Sequence, residues 1–522
     1  MNFSSDFTMT INGEAASGGA SIDVINPATA SSFAQCPDAS AEDLDRAVQA
    51  AKDAFKTWKL VPVEERRAML IKAGDLIMAN ADPLASLFTK EQGRPVTLAK
   101  QEILGAGYWF HATAALDLPV DITEDTDQRR VEVHHEPLGV VCAIVPWNFP
   151  VLLASWKIAP ALLAGNTIVV KPSPYTPLCT LKMGELLRTV FPAGVVNIIT
   201  GGDALGPMMT AHKGFAKISF TGSTATGKRV MESAARDLKR ITLELGGNDA
   251  AIVLPDVSAE KVSQSLFDGA FSNSAQICVA TKRLYVHNDI YDDVRDRMIQ
   301  IARRAVVGDG SQQGTQFGPV QNKAQYDRVM NLLESAKAEG LTIHQGATPD
   351  LEGYFVPLTI IDNPPEDSRV VVEEAFGPIL PMMRFDDIDE VIARANNTDY
   401  GLAGAIWSAD IERAVSSRPR SRRWPGTSSP GSAQKTGSMD CASSPSRRQS
   451  TFQSRRTPSP EDLSRPDGRR FPVRFGRCSH TREEYLQYTD ENGFFVIRVS
   501  ANGARQGREL SLIEIRHRRN AA

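Results

Sequence analysis

Apolar residues along this chain change their period several times, and each change marks a change of element. Near the start, Thr8-Met9-Thr10-Ile11 ahead of Asn12-Gly13, and Val24-Ile25 ahead of Asn26-Pro27, read as short strands closed by turns. Leu44, Val48, Ala51, Phe55 and Trp58 then fall on one helical face, with Ser40 placed to cap it. Met69, Ile71, Ala73, Leu76 and Ile77 continue a helical layer that ends near Asn80. All of these read as packing positions. Between 121 and 136, Val131, Val133 and His135 alternate with Arg130, Glu132 and His134, the pattern of a strand with one wet face in an arm leaving the main body. No third ligand is near its two histidines, so a solvated strand explains them better than a metal site.

From Gly139 onward, short apolar runs alternate with helical periods. Strands are expected at 140–145, 168–170, 195–200, 217–220 and 241–243, separated by helices at 152–164, 178–189, a short one after 200, and 228–235. Buried strands spaced by helices imply βαβ units and a doubly wound parallel sheet, whose working loops lie at the carboxyl ends of the strands. The polar residues at those ends are Asn148, Lys171, Gly201-Gly202, Gly222-Ser223 and Glu244. A second α/β unit starts near 250–253 and runs to about 413, with a strand at 283–287, helices at 291–306 and 324–338, and a further segment at 370–378.

After about residue 415 the patterning stops. From 416 to 473 more than half the residues are Ser, Arg or Pro, too little apolar surface to offset the entropy of ordering. The 416–522 tail is therefore expected to be largely disordered. A shifted reading frame in a GC-rich gene explains it better than a natural basic tail, because the change falls abruptly inside the helix that 409–414 should begin. Reading the coding DNA in the other frames decides between them.

The 522 residues are enough for two or three packed units, and 42% hydrophobic with 23% charged residues is ordinary for a soluble globular protein. A net charge of −4 gives no electrostatic case for nucleic acid or an anionic membrane, and the basic runs at 418–423 and 447–448 lack interleaved aromatics. The six cysteines (Cys36, Cys142, Cys179, Cys278, Cys441, Cys478) show neither metal nor disulfide spacing, which suits a reducing, cytoplasmic setting without a metal. The first residues lack a basic stretch followed by an apolar core, so no signal peptide is expected. Nor is a membrane span, since no apolar run reaches some 18 residues.

Candidate chemistry centres on Thr242-Leu243-Glu244-Leu245-Gly246-Gly247-Asn248, a carboxylate ahead of a Gly-Gly turn, and on Cys278 in the helix-like stretch 274–279. A thiol and a carboxylate serving one carbon make a nucleophile and a base. Phe220-Thr221-Gly222-Ser223-Thr224-Ala225-Thr226-Gly227 reads as strand, Gly-rich turn and helix start, which aims N–H groups at an anion such as a pyrophosphate, or simply enters a helix. Asn148 in Pro146-Trp147-Asn148-Phe149-Pro150 is placed to donate to an oxyanion, or to make a turn. Lys171 in Lys171-Pro172-Ser173 is placed to bind ribose or phosphate, or to face solvent.

With Asn26-Pro27-Ala28-Thr29, Leu243-Glu244-Leu245-Gly246-Gly247 and Glu373-Glu374-Ala375-Phe376-Gly377-Pro378, these motifs fall in an order that resembles the NAD(P)-dependent aldehyde dehydrogenase superfamily over about residues 11–414. The resemblance implies a Rossmann-type cofactor domain (1–118 and 138–246), an oligomerisation arm (119–137) and an α/β catalytic domain (247–415). It implies oxidation of an aldehyde to its acid, with Cys278 as nucleophile and Glu244 as base. Asn148 and the Cys278 N–H form the oxyanion hole, and Lys157 relays the base's proton. It assigns cofactor contacts to Trp147, Lys171, Ser173, Gly222, Ser223, Gly227, Leu245, Gly246, Glu374 and Phe376. Phe149, Leu153, Trp156, Ile277 and Val279 line an apolar tunnel suited to apolar or aromatic aldehydes.

Pro174 stands where many NAD-preferring relatives carry a glutamate, which leaves NAD and NADP both open, with NAD slightly favoured. A homodimer or homotetramer is implied, although no closing strand is recognisable between 416 and 473, and only 483–489 resembles the step before it. That loss implies impaired activity. The competing readings are an inactive binding relative, and a dehydrogenase that passes the acyl group to coenzyme A; Glu244 speaks against the latter.

Overall fold

The computed structural model describes residues 2–410 and two strands, Val496–Ser500 and Ser511–Ile515. Those strands fall within the 416–522 tail, the rest of which lies outside the described residues. The basic runs at 418–423 and 447–448, the onset of the tail, and 483–489 lie outside the described residues.

Strands β1 (Met9–Ile11) and β2 (Glu14–Ala16) pair across the two-residue turn Asn12-Gly13. Both turn residues have positive φ, +54° and +78°, the geometry that suits a tight hairpin. Strands β3 (Ala20–Asn26) and β4 (Ser31–Asp38) form a separate ribbon. Helix α1 (Ala41–Trp58) begins with a reciprocal cap in which Ser40 Oγ accepts the Asp43 N–H and the Asp43 carboxylate accepts the Ser40 N–H. Helices α2 (Val63–Ala79), α3 (Ala81–Gln92) and α4 (Val96–Ala114) follow. The last two lack a clear apolar stripe because they are packed on several sides, which hides them from periodicity. A hairpin of β5 (Asp121–Asp125) and β6 (Arg130–Val133) makes its own two-stranded sheet. There His134 meets Glu132 and His135 meets Asp121. Among the described residues no group of three or more His, Cys, Asp and Glu is placed to hold a metal.

The alternating segment folds as β7 (Val140–Ile144), α5 (Pro150–Leu163), β8 (Thr167–Lys171), α6 (Leu178–Leu187), β9 (Val196–Ile198), α7 (Leu205–Ala211), β10 (Lys217–Thr221), α8 (Thr224–Ala235) and β11 (Arg240–Glu244). The sheet order is β11-β10-β7-β8-β9-β1-β2, with β7 to β11 parallel. The chain steps outward from β7 to β9, then returns to place β10 on the other side of β7. The order therefore reverses between β7 and β10, and a crevice opens beyond their carboxyl ends, at Val145–Asn148 and Gly222-Ser223. Every residue of β8 is buried, as expected of a strand covered on both faces.

The second unit comprises β12 (Ala250–Val253), α9 (Ala259–Phe271), β13 (Arg283–His287), α10 (Asn288–Arg304), α11 (Lys323–Ala338), β14 (Thr342–Gln345), β15 (Thr359–Asp362), α12 (Arg369–Val372), β16 (Ile379–Phe385), α13 (Ile388–Asn396) and β17 (Gly404–Trp407). Two further strands, β18 (Val496–Ser500) and β19 (Ser511–Ile515), extend its sheet in the order β14-β15-β16-β13-β12-β17-β18-β19. Ala251, Val253, Leu284 and Val286 enter one core cluster, while Ile252 and Tyr285 enter the other, so the two-residue period of β12 and β13 feeds both faces. The segment at 370–378 is a single helical turn followed by a loop that carries Glu374 and Phe376.

Candidate active site

Cys278 does not sit on a helix. The stretch read as helix-like begins instead with a tight turn, Ser272–Ala275, in which Asn273, Ser274 and Ala275 all have φ between +53° and +60°. Three consecutive left-handed residues are costly and persist only where surrounding contacts impose them. Here the contacts are polar and buried. Ser274 Oγ donates to the Gly318 carbonyl at 2.7 Å, Gln276 Nε2 donates to the Asn273 carbonyl at 2.9 Å, and the Gln321 N–H donates to Gln276 Oε1 at 2.9 Å. The turn delivers Ile277-Cys278-Val279 half-buried, with Ile277 and Val279 flanking the thiol. Behind the loop, the buried Lys282 donates to the carbonyls of Ile277 and Cys278 at 2.9 and 2.7 Å.

Asn148 lies just beyond β7, buried, at the point where the first sheet reverses its order. Its Nδ2 donates to the Gln276 carbonyl at 2.9 Å, so the amide rests against the loop that carries Cys278. Arg94 holds both sides. Its guanidinium donates to the Asn148 carbonyl at 2.6 Å, to Asn273 Oδ1 at 3.0 Å and to Glu102 Oε2 at 2.5 Å. The other oxygen of Glu102 accepts the N–H groups of Val151 and Leu152, both at 3.1 Å, and so caps α5. The Phe149 ring is stacked on Arg94, 4.1 Å from the guanidinium carbon, which gives this ring a structural partner besides any substrate.

Glu244 ends β11, buried. It shares a cavity of about 50 Å³ with Leu153, Trp156, Lys157, Lys217 and Ser219. Lys157 Nζ donates to Ser219 Oγ at 3.0 Å, and the Trp156 ring packs on Trp109 with centroids 4.9 Å apart. The Gly-Gly turn after Glu244 reaches the Cys278 loop, for a Cβ on Gly247 would stand 3.1 Å from the Cys278 carbonyl oxygen and 2.8 Å from Leu402 Cβ. A side chain is excluded there, and the absence of one lets the two loops touch.

The remaining candidates surround the crevice. Ser223 caps α8, its Oγ accepting the Thr226 N–H at 3.3 Å, and the Gly222 N–H bonds the Glu244 carbonyl at 3.0 Å. A Cβ on Gly227 would lie 2.5 Å from Leu245 Cδ2, so the bare backbone here lets the start of α8 approach the turn after β11. Lys171 is buried with Nζ 3.4 Å from the Pro172 carbonyl, and burial pulls its amine down to about 8. Ser173 Oγ accepts the Tyr175 N–H at 3.3 Å. Trp147 and Phe376 meet edge to face at 5.4 Å, with Phe376 held at φ +48°. The Glu374 carboxylate lies over Gly246 and accepts the Gly247 N–H at 3.1 Å, and burial pushes its pKa above the ordinary carboxylate range. A helix N-terminus at the sheet's switch point, a buried amine short of acceptors, a buried carboxylate and two apposed rings fit a dinucleotide.

Residues 14–422 match the sequence profile described as the aldehyde dehydrogenase family. The chain belongs to that family. It is 43% identical over 406 residues to a probable aldehyde dehydrogenase of a Pseudomonas species, covering 78% of this chain and 83% of that protein. It is 39% identical over 408 residues to retinal dehydrogenase 2 of Mus musculus, covering 75% and 78%. An aldehyde dehydrogenase of Bacillus cereus, solved as an NAD+ complex, superposes with a TM-score of 0.77 at 36% identity, covering 79% of this chain and 86% of that one. An aldehyde-oxidising fold is therefore what the two sheets build.

In this aldehyde dehydrogenase the groups that hold the site, as distinct from those that line it, escaped the sequence reading. Arg94, Glu102, Asn273, Gln276, Lys282 and Gln321 are buried and polar. Their one visible signal is charge or amide inside otherwise apolar segments, as with Glu91, Arg94 and Glu102 in and between α3 and α4.

Proposed function

We propose that this chain oxidises an apolar or aromatic aldehyde to its carboxylic acid with NAD+ or NADP+, through a thioester on Cys278. The observation that carries the reading is the meeting of two strand ends with the loop that precedes β13: the Asn148 amide beyond β7 rests against Gln276, and the Gly247 turn beyond β11, with Glu244 at its base, rests against Cys278. The Cys278 sulfur, as thiolate, forms a bond to the aldehyde carbon, and the C=O π pair moves to oxygen. Asn148 Nδ2 spends one hydrogen on Gln276 and has a second for that oxygen, with the Cys278 N–H as the other donor. When bound, the nicotinamide supplies the hydride acceptor. Ser223 and Trp147 hold its pyrophosphate side, with Gly222 in the turn, Lys171 and Ser173 its adenine ribose, and Glu374, Phe376, Leu245 and Gly246 its nicotinamide side. Glu244 then takes a proton from water, the water oxygen bonds to the thioester carbon, and the C–S bond breaks to return the thiolate and release the acid. Lys157, bonded to Ser219 in the cavity that Glu244 lines, passes the proton on.

The apolar substrate class rests on Leu153, Trp156, Ile277 and Val279 around the nucleophile and base, and agrees with the retinal in the mouse relative's name. A dimer or tetramer is proposed from the β5–β6 hairpin, beside which Leu118, Val120 and Ile122 are exposed. A cytoplasmic setting is proposed from free Cys36, Cys142, Cys179 and Cys278; among the described residues no helix is long and apolar enough to cross a membrane. Weakened activity is proposed because the family match ends at residue 422, inside the Ser/Arg/Pro-rich change of composition. The test is NAD(P)H formation over a panel of aldehydes with Cys278→Ala as control. Turnover of apolar aldehydes that Cys278→Ala abolishes is expected. Turnover that survives Cys278→Ala, or equal turnover of a strongly anionic semialdehyde, counts against the nucleophile and the substrate class respectively.

A further inference from the structure

Lys282 stands immediately ahead of β13 and is buried between the loops that carry Cys278 and Glu374. Its Nζ donates to the Ile277 carbonyl at 2.9 Å and the Cys278 carbonyl at 2.7 Å, with the Ala280 carbonyl at 3.4 Å and the Glu374 carboxylate at 3.7 Å. Three carbonyls of one short loop thus turn toward one amine, a donor with no acceptor capacity of its own.

The Ile277 carbonyl and the Cys278 N–H belong to the same peptide unit. That unit is planar and trans, so its oxygen and hydrogen point in opposite directions. Holding the oxygen against Lys282 turns the Cys278 N–H to the far side of the loop, away from the amine. One residue earlier, the Gln276 carbonyl receives the Asn148 amide at 2.9 Å. The direction of the Cys278 N–H is thus set from behind the loop, while its partner amide is docked on the neighbouring peptide.

We propose that Lys282 is the positioning residue of the oxyanion hole: by tying the Ile277 and Cys278 carbonyls it fixes the peptide plane that presents the Cys278 N–H to the substrate oxygen. The inference rests on the reading of Cys278 as nucleophile and of its N–H as an oxyanion donor. The Ile277 oxygen also accepts the Ala280 N–H of its own turn at 3.2 Å, so losing Lys282 loosens the plane without releasing it. The effect is therefore smaller than loss of a whole oxyanion donor, which costs about 10²–10³ in kcat.

Two cofactor-free assays on the full chain separate this role from a merely structural one. Hydrolysis of p-nitrophenyl acetate passes through an oxyanion on the substrate carbonyl; alkylation of the thiol by iodoacetamide does not. Lys282→Met is expected to lower the hydrolysis kcat about tenfold with KM little changed and alkylation within about twofold of the parent, and Lys282→Arg to recover most of the loss. Hydrolysis that stays at the parent rate in Lys282→Met, or alkylation that falls in step with hydrolysis, overturns the proposal. If Lys282→Met does not fold, judged by circular dichroism and melting, Lys282→Gln is compared with Lys282→Arg by the same two assays and the same outcomes. Hydrolysis that survives Cys278→Ala instead defeats the nucleophile reading, an outcome distinct from survival in the Lys282 variant alone.

Discussion

Arg94 shows how much of the site depends on a buried residue that does not line the cavity at Glu244. Its fork joins the Asn148 carbonyl, Asn273 and Glu102, partners 54, 179 and 8 positions away along the chain. A lysine keeps the charge but offers a point donor in place of the fork. Arg94→Lys is therefore expected to fold and to lose about tenfold to a hundredfold in kcat, because displacing Asn148 and the Cys278 loop by a fraction of an ångström disturbs a near-attack geometry. Steady-state kinetics with an apolar aldehyde check this, and an unchanged kcat would count against it. Arg94→Met leaves Glu102 buried without its ion-pair partner, a change that costs roughly 3–5 kcal/mol and is read from urea unfolding. At this scale Glu244 and Asn148 stand beside punctuation that sequence displays, a strand end with a Gly-Gly turn and a strand end with a Pro, whereas Cys278 was singled out only by the order of the motifs around it. Arg94 and Lys282 were not legible, since their meaning lies in where a long side chain ends, which no local pattern encodes.

Elements were legible where a wet face, a cap or a regular alternation of strands and helices marked them, as with the fully buried β8 and α6, and obscure where none of these did. Helix α1 announces itself by its stripe and its cap, whereas α3 and α4 do not. The turn before Cys278 was misread because its left-handed residues are Asn, Ser and Ala, with no glycine to signal them. That suggests a remedy. Ala275 pays the steric cost of φ +60°, about 1–2 kcal/mol, against the smaller entropic cost of glycine, about 0.5–1 kcal/mol. Ala275→Gly is expected to raise the unfolding free energy by about 0.5–1 kcal/mol, and a variant that melts below the parent would refute the strain. Glu91 gives a pH signature. It caps α6 by accepting the N–H groups of Leu178 and Cys179 at 2.7 and 2.9 Å, while burial pushes its pKa from 4.5 to about 7. The folded state thus keeps a proton that the unfolded chain has released, so the stability this group contributes is full below 4.5 and is lost as pH rises toward about 7. Glu91→Gln removes that titration, and its melting temperature should fall less steeply across the same window. Asp249, raised by burial to about 7, retains part of the slope. Parallel profiles for parent and variant would exclude the assignment.

The whole molecule follows from two sheets, with strands of the first ending just before Asn148 and at Glu244 and strands of the second beginning after Cys278 and Glu374, and this was the most legible level. Alternating apolar runs and helices require a parallel sheet, and a parallel sheet places its working loops at one edge. The choice between cofactors was not legible, because it depends on which acid reaches the ribose from anywhere around the crevice. Pro174 puts no carboxylate beside Lys171 from its own loop. Yet the field of Asp203, beyond β9, reaches both Lys171 and Tyr175, and Asp38 also acts on Lys171. A 2′-phosphate entering here meets Lys171 as an attraction and Asp203 as a repulsion that is partly screened, since Asp203 is exposed. The two should nearly balance, so kcat/KM with NAD is expected to exceed that with NADP by no more than about tenfold, or about 1.4 kcal/mol. Asp203→Asn should move the ratio toward NADP by a few fold. Pro174→Glu, which sets a carboxylate three residues after Lys171, should move it toward NAD by about tenfold or more. Strict exclusion of NADP by the parent, unrelieved by Asp203→Asn, would mean that another wall of the crevice does the selecting.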